Sequence, residues 1–150
     1  MQHFEYSSWI DAPVETVFAF HERPDALEKL TPPDQKVEIV SRQGGIRTGA
    51  RVELRIHVGP WSVTWIAMHV DYETNRRFVD DQIRGPFRKW LHTHRFLEER
   101  EGTRLTDSID YALPGGRIAE MLAGPLIRNK LLKMFRYRHY VTQHECVRAQ

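Results

Sequence analysis

Two histidines stand two residues apart in the run Phe87-Arg-Lys-Trp-Leu-His-Thr-His-Arg-Phe96, directly after a Gly85-Pro86 turn. Successive strand side chains point to opposite faces, so Trp90, His92, His94 and Phe96 fall on one side. Imidazole exchanges a proton near neutral pH and is a common nitrogen ligand for metal ions. Two imidazoles between two aromatic rings do not make an ordinary solvated face. They describe a strand lining an apolar cavity with a few polar groups, the usual make-up of a small-molecule site.

Three chemistries suit such a face. A His–Asp pair could act as a general base, and Asp80-Asp81-Gln82 precede the turn. If Gly85-Pro86 makes a two-residue turn, Asp81 falls opposite Trp90 and Val79 opposite His92. A bulge instead brings Asp80 or Gln82 onto the histidine face. The register stays open, and a cross-strand polar pair that only fixes pairing is the preferred reading of such a pair. Metal binding would need more ligands: His69, His92 and His94 offer imidazoles, but no cysteine or second His-x-His pair joins them. No metal, cofactor or catalytic residue is assigned. The third chemistry is ligand contact. Trp61, Trp65 and Trp90 are large apolar groups for core or cavity wall, each with an indole N–H that needs a partner when buried. The expected contacts are Trp65, Trp90, His92, His94 and His139, with Gln82 added from the adjoining strand end.

The elements that must position these residues follow from periodicity. Residues 3–11 alternate as a first strand, with either Phe4, Tyr6, Ser8 and Ile10 or the opposite set facing inward. Pro13 opens a short helix carrying Val14, Val17, Phe18 and Ala19, and Pro24 opens a second with Leu27 and Leu30, closed by Pro32-Pro33. From Lys36 to Leu113 the period is two. Strands are expected around Val37–Ser41, Val52–Val58, Trp61–Tyr72, Arg77–Arg84, Phe87–Glu98 and Thr103–Leu113, the long Trp61–Tyr72 strand being central. Close turns with no intervening helix imply an antiparallel meander. After Pro114-Gly115-Gly116 the pattern is helical, with Ile118, Met121, Leu122, Pro125, Leu132, Phe135, His139 and Thr142 along one face. Gly124-Pro125 is expected to interrupt it, leaving a long helix from about Leu126. An antiparallel sheet curved around one long helix leaves space on its concave side, and the two short helices can plug one end.

Composition excludes several classes. The chain has 150 residues and is read as one domain, 1–150, with 41% hydrophobic and 28% charged residues. A net charge of +2 and no phosphate-cradling glycine loop give no reason to expect nucleic acid. No apolar run approaches the ~20 residues of a membrane span, no leader pattern is visible at the start, and a single Cys146 fits a reducing cytoplasm. Arg128, Lys130, Lys133, Arg136 and Arg138 read as the solvated face of the last helix.

Trp9 to Phe18, Phe78 to Gln82, Gly85-Pro86-Phe87, Trp90 to Phe96, Gly102 to Asp107 and Met134 to His139 together resemble the START-like (SRPBCC, helix-grip) superfamily, in a bacterial polyketide cyclase/dehydrase-like branch. The resemblance implies an α+β helix-grip fold: a curved antiparallel sheet of about seven strands around a long C-terminal helix, with two short helices after strand one. It implies a small hydrophobic ligand (lipid-like, aromatic or polyketide-like) as the partner. Two alternatives accompany this expectation. One is a cyclase/aromatase-type enzyme using cavity histidines as acid and base; the other is a protein-interaction module using the basic helix, its protein partner unnamed.

Overall fold

A computed structural model describes residues 1–148. The order is β1 (Gln2–Ile10), α1 (Val14–Glu22), α2 (Ala26–Leu30), β2 (Lys36–Gln43), β3 (Arg51–Val58), β4 (Trp61–Glu73), β5 (Arg77–Arg84), β6 (Lys89–Glu99), β7 (Gly102–Ala112) and α3 (Gly116–Arg148). The seven strands form one curved antiparallel sheet in the order β1-β7-β6-β5-β4-β3-β2. This is a six-strand meander whose last strand is closed by the first. The helix-grip architecture is that expected from the sequence.

The inward face of β1 carries Phe4 and Ile10, both almost fully buried. Alternation then fixes the rest: Leu105, Ile109 and Tyr111 on β7, and Trp90 and Phe96 on β6, turn to the same concave side and are buried. Gly102 is required at the start of β7, because a Cβ there would lie 2.5 Å from the Ile10 carbonyl oxygen and 2.7 Å from the Trp9 ring.

Packing divides this concave side into two apolar clusters. One joins Ile10, Val17, Phe18, Phe78, Phe96 and Leu105 under α1. The other joins Phe4, Trp90, Ile109, Tyr111, Leu131 and Phe135 under α3. Between them, at the same inward parity, lie polar residues. α3 packs along β1 and β7 and against α1 and α2.

Three sequence expectations are corrected. α3 is continuous through Pro125. The proline is exposed, so the Met121 carbonyl that loses its partner lies on the solvent side, where water satisfies it. The buried stripe of the helix is also out of phase with the expected one in its first half. Ile118, Met121 and Leu122 are 69%, 72% and 76% exposed, while Ala119, Ala123 and Ile127 pack inward. Small residues let this end approach the sheet, and large side chains fill the interface from Ile127 and Leu131 onward. Finally, Trp61 is 74% exposed beside the Gly59-Pro60 turn, so it is neither core nor wall.

Candidate functional site

The polar layer is built by strand register. β5 pairs with β6 so that Asp80 lies opposite His92 and Phe78 opposite His94. This settles the register that the sequence left open, one step away from the two-residue-turn pairing. The physical reason is Gln82. Its side-chain amide donates to the Phe87 carbonyl at 2.8 Å and accepts from the Phe87 N–H at 3.3 Å, closing a longer loop. Gln82 therefore holds the turn that sets the histidine register. β7 pairs with β6 so that Asp107 lies opposite His94, and β4 pairs with β5 so that His69 lies opposite Asp80. A β-bulge between His69 and Asp71 then resets the phase of β4, which lets Tyr72 meet Phe18.

Asp107 organises the layer. One carboxylate oxygen accepts from His92 Nε2 and from His94 Nδ1, each at 2.8 Å, and the other accepts from His139 Nε2 at 2.7 Å. His139 Nδ1 in turn meets the Ser8 hydroxyl at 2.5 Å. On its other side, His94 Nε2 donates to Asp80 Oδ2 at 3.1 Å. The rings of His92 and His94 lie 3.7 Å apart between centroids, and Phe78 stacks on His94 at 3.9 Å.

These contacts set the charges. Burial alone would raise the Asp107 carboxyl, but the positive charge of His94 and hydrogen bonds from His139, His92 and His94 hold it well below the usual carboxylate range. Asp80 is likewise disfavoured by burial, yet His92 and His94 bring it down to about 2. Burial disfavours the His94 imidazolium, but the two carboxylates outweigh it and raise its pKa. Burial and the neighbouring His94 lower His92. Burial lowers His69, and it takes His21, whose Nδ1 donates to the Val17 carbonyl, down to about 4. The layer therefore favours the charged form of His94 between its two carboxylates and disfavours it on His92, His69 and His21.

The layer opens onto a cavity of about 1210 Å³ between the sheet and α2 and α3. Its walls include Val52, Leu54 and Ile56 of β3, Trp65 and Ala67 of β4, and Ile127, Leu131 and Met134 of α3. Trp65 meets Trp90 edge to face at 5.1 Å. Trp65, Trp90, His92 and His94, all expected as contacts, are brought together on this lining. His139 points into the same polar layer but stands behind Asp107.

Four participants escaped the sequence reading. Asp107 carried a readable signal: a carboxylate at the inward parity of Leu105, Ile109 and Tyr111. Ser8 carried the same signal between Phe4 and Ile10. His21 lies on the buried face of α1. Arg138, expected on the solvated face, turns inward: its guanidinium lies 5.3 Å over the Phe135 ring, it lines the cavity, and its Nε is buried without a partner. His69 Nδ1 is likewise buried without a partner. Among the described residues no helix is long and apolar enough to cross a membrane. The Cys146 thiol is buried, and burial pushes its pKa up to about 12, which makes it a packing group rather than a nucleophile.

Residues 10–136 match the model of a family described as polyketide cyclase / dehydrase and lipid transport. The matched span contains His69, Asp80, His92, His94 and Asp107 and stops short of His139. No curated protein sequence matches the chain. Among solved structures, TTHA0849 from Thermus thermophilus is similar with a TM-score of 0.76 at 20% identity, covering 99% of both chains. Protein Ms6760 from Mycobacterium smegmatis is similar with a TM-score of 0.71 at 19% identity, covering 99% of this chain and 92% of its own. A nucleoside-diphosphate sugar epimerase from Corynebacterium glutamicum aligns with a TM-score of 0.68 at 26% identity, over 94% of this chain and 28% of its own. The first two likenesses are of fold.

Proposed function

The chain belongs to the polyketide cyclase / dehydrase and lipid transport family, and on that premise we propose that it binds a small, mostly apolar molecule in the cavity between the sheet and α3. The molecule is lipid-like, aromatic or polyketide-like. The observation that carries this reading is the wall of β3: Val52, Leu54 and Ile56 point into the cavity, are only half-buried, and lead toward buried histidines. An apolar lining with a few convergent polar groups is what a small-molecule site requires. The apolar body of the ligand lies against Leu54, Ile56, Trp65 and Trp90. Its polar end carries an oxygen acceptor, which meets the Arg138 guanidinium on the cavity lining.

Native mass spectrometry of protein purified without denaturation tests this reading. A co-purifying small molecule, lost on unfolding, is the expected result; a clean unliganded mass in every preparation overturns it.

One observation favours a second reading, proton transfer on a bound polyketone. His94 sits between Asp80 and Asp107 with a nitrogen committed to each, a poised acid that a carrier does not need. Replacing His92 and His94 together would then abolish turnover of a candidate polyketone in a folded protein. Survival of turnover excludes them as the acid–base pair.

A further inference from the structure

We propose that Asp80, His92 and His94 form a binding site for a first-row divalent metal ion, with Asp107 as the outer carboxylate that orients both imidazoles and a remaining coordination position open to the cavity. One oxygen or nitrogen from each of the three residues lies within 4.8 Å of the other two. Asp80 Oδ2 is 3.1 Å from His94 Nε2 and 3.6 Å from His92 Nδ1. Around an ion with bonds of about 2.0–2.1 Å, tetrahedral ligand atoms stand about 3.4 Å apart, so the two separations bracket the value a metal would impose.

The hydrogen bonding points the same way. His92 uses Nε2 to donate to Asp107 at 2.8 Å, which leaves Nδ1 as the nitrogen available for coordination. That atom faces an Asp80 oxygen at 3.6 Å, too far for a hydrogen bond. A separation of that length leaves room for an ion to bond the nitrogen and the oxygen together. His94 repeats the arrangement: Nδ1 is held by Asp107 and Nε2 is turned to Asp80. A histidine that ligates through one nitrogen while the other donates to a carboxylate is the usual outer arrangement of metal sites. Asp107 supplies it to both histidines with a single oxygen, and its second oxygen is fixed by His139.

Charge and position agree. Asp80 and Asp107 together bring two negative charges to match a divalent ion. Binding exchanges the Nε2 proton of His94 for the ion, and the proton leaves to solvent. Directly across the strand pair from Asp80, His69 is 9% exposed, lines the same cavity and has an unpartnered Nδ1. The donor set of two nitrogens and one carboxylate oxygen suits zinc, cobalt or iron rather than calcium or magnesium.

The site stands apart from the ligand reading, because the metal alone is the probe. Protein stripped with chelator is titrated with Co²⁺ and then challenged with Zn²⁺. The expected result is one ion per chain, visible d–d absorption of a low-coordinate nitrogen/oxygen site, and displacement by Zn²⁺. X-ray absorption of the Zn²⁺ form should show two imidazoles in the first shell. Asp80→Asn, a near-isosteric change at the rim of the layer, should weaken binding at least tenfold, whereas His57→Gln on exposed β3 should leave it unchanged. No ion bound, a hexa-aquo-like spectrum, or affinity unaltered in Asp80→Asn overturns the proposal. The wild-type spectra decide the question even if the variant fails to fold.

Discussion

The two halves of the sheet share one alternating pattern and one curved surface, yet they end up covered differently. On β1, β7 and β6 the inward apolar residues are buried under α1 and α3: Phe4, Ile10, Leu105 and Ile109 are at most 2% exposed. On β3 the inward set Val52, Leu54 and Ile56 remains half-buried and looks into the cavity. Apolar alternation tells a strand which face turns away from bulk water. It does not tell whether protein or ligand will cover that face. The covered half carries the stability, and the uncovered half is free to be a wall.

Breaking the covered half should have the largest effect. Phe135 is fully buried, meets Phe4 at 5.7 Å and His92 at 5.2 Å between ring centroids, and anchors α3 on the sheet. Phe135→Ala should cost about 3–5 kcal/mol, the range for large aromatic truncations in a core, measured by urea unfolding. A loss under about 1 kcal/mol would show that α3 is held elsewhere and that the two halves do not differ in this way.

Acid should discriminate next, because buried ionisable groups lie on the covered side and in the polar layer. His21 is uncharged in the fold with its pKa lowered by burial to about 4, against 6.5 when exposed. Between those values the unfolded chain binds the extra proton, so stability is full above 6.5 and falls as the pH drops to 4. The loss is about 3 kcal/mol at 1.36 kcal/mol per unit. Asp80, held at about 2 by the histidines against 3.8, adds a further loss of about 2 kcal/mol as the pH falls from 3.8 through 2. His21→Phe should flatten the upper step and leave the lower one. Unfolding free energies from pH 7.5 down to about 2 check this; an unchanged upper step in the variant assigns it to another group.

The contrast also explains what the sequence revealed. Strand periods, turn residues and the single helical tail were enough for the architecture, and His92 and His94 stood out because imidazoles between Trp90 and Phe96 are chemically conspicuous. Asp107 and Ser8 were less so, since one polar residue in an alternating strand looks like a wet-face residue until pairing shows what it faces. The choice among Asp80, Asp81 and Gln82 depended on a loop closed by a side chain, the Gln82 amide on Phe87, and period-two logic contains no such bond. The helix phase failed for a related reason. Hydrophobicity weights Ile118, Met121 and Leu122 over Ala119 and Ala123, while close approach to a sheet selects the small residues.

The smallest expected effect on stability is the one that sharpens the comparison most. Leu54 lies opposite Trp65 on β4 and Ile39 on β2, with its side chain in the cavity wall. Leu54→Trp adds bulk where the covered half would be overpacked, an error that costs about 1–3 kcal/mol in a filled core. On the wall the indole extends into the cavity, so unfolding free energy should change by less than about 1 kcal/mol. Occupancy should respond instead: an apolar fluorescent probe that enters the wild-type cavity should bind roughly tenfold more weakly, about 1.4 kcal/mol. The same change therefore separates the two roles. A large loss of stability with probe binding intact would mean that β3 is core after all, and a loss of neither would mean that the wall at Leu54 is not where an apolar molecule lies.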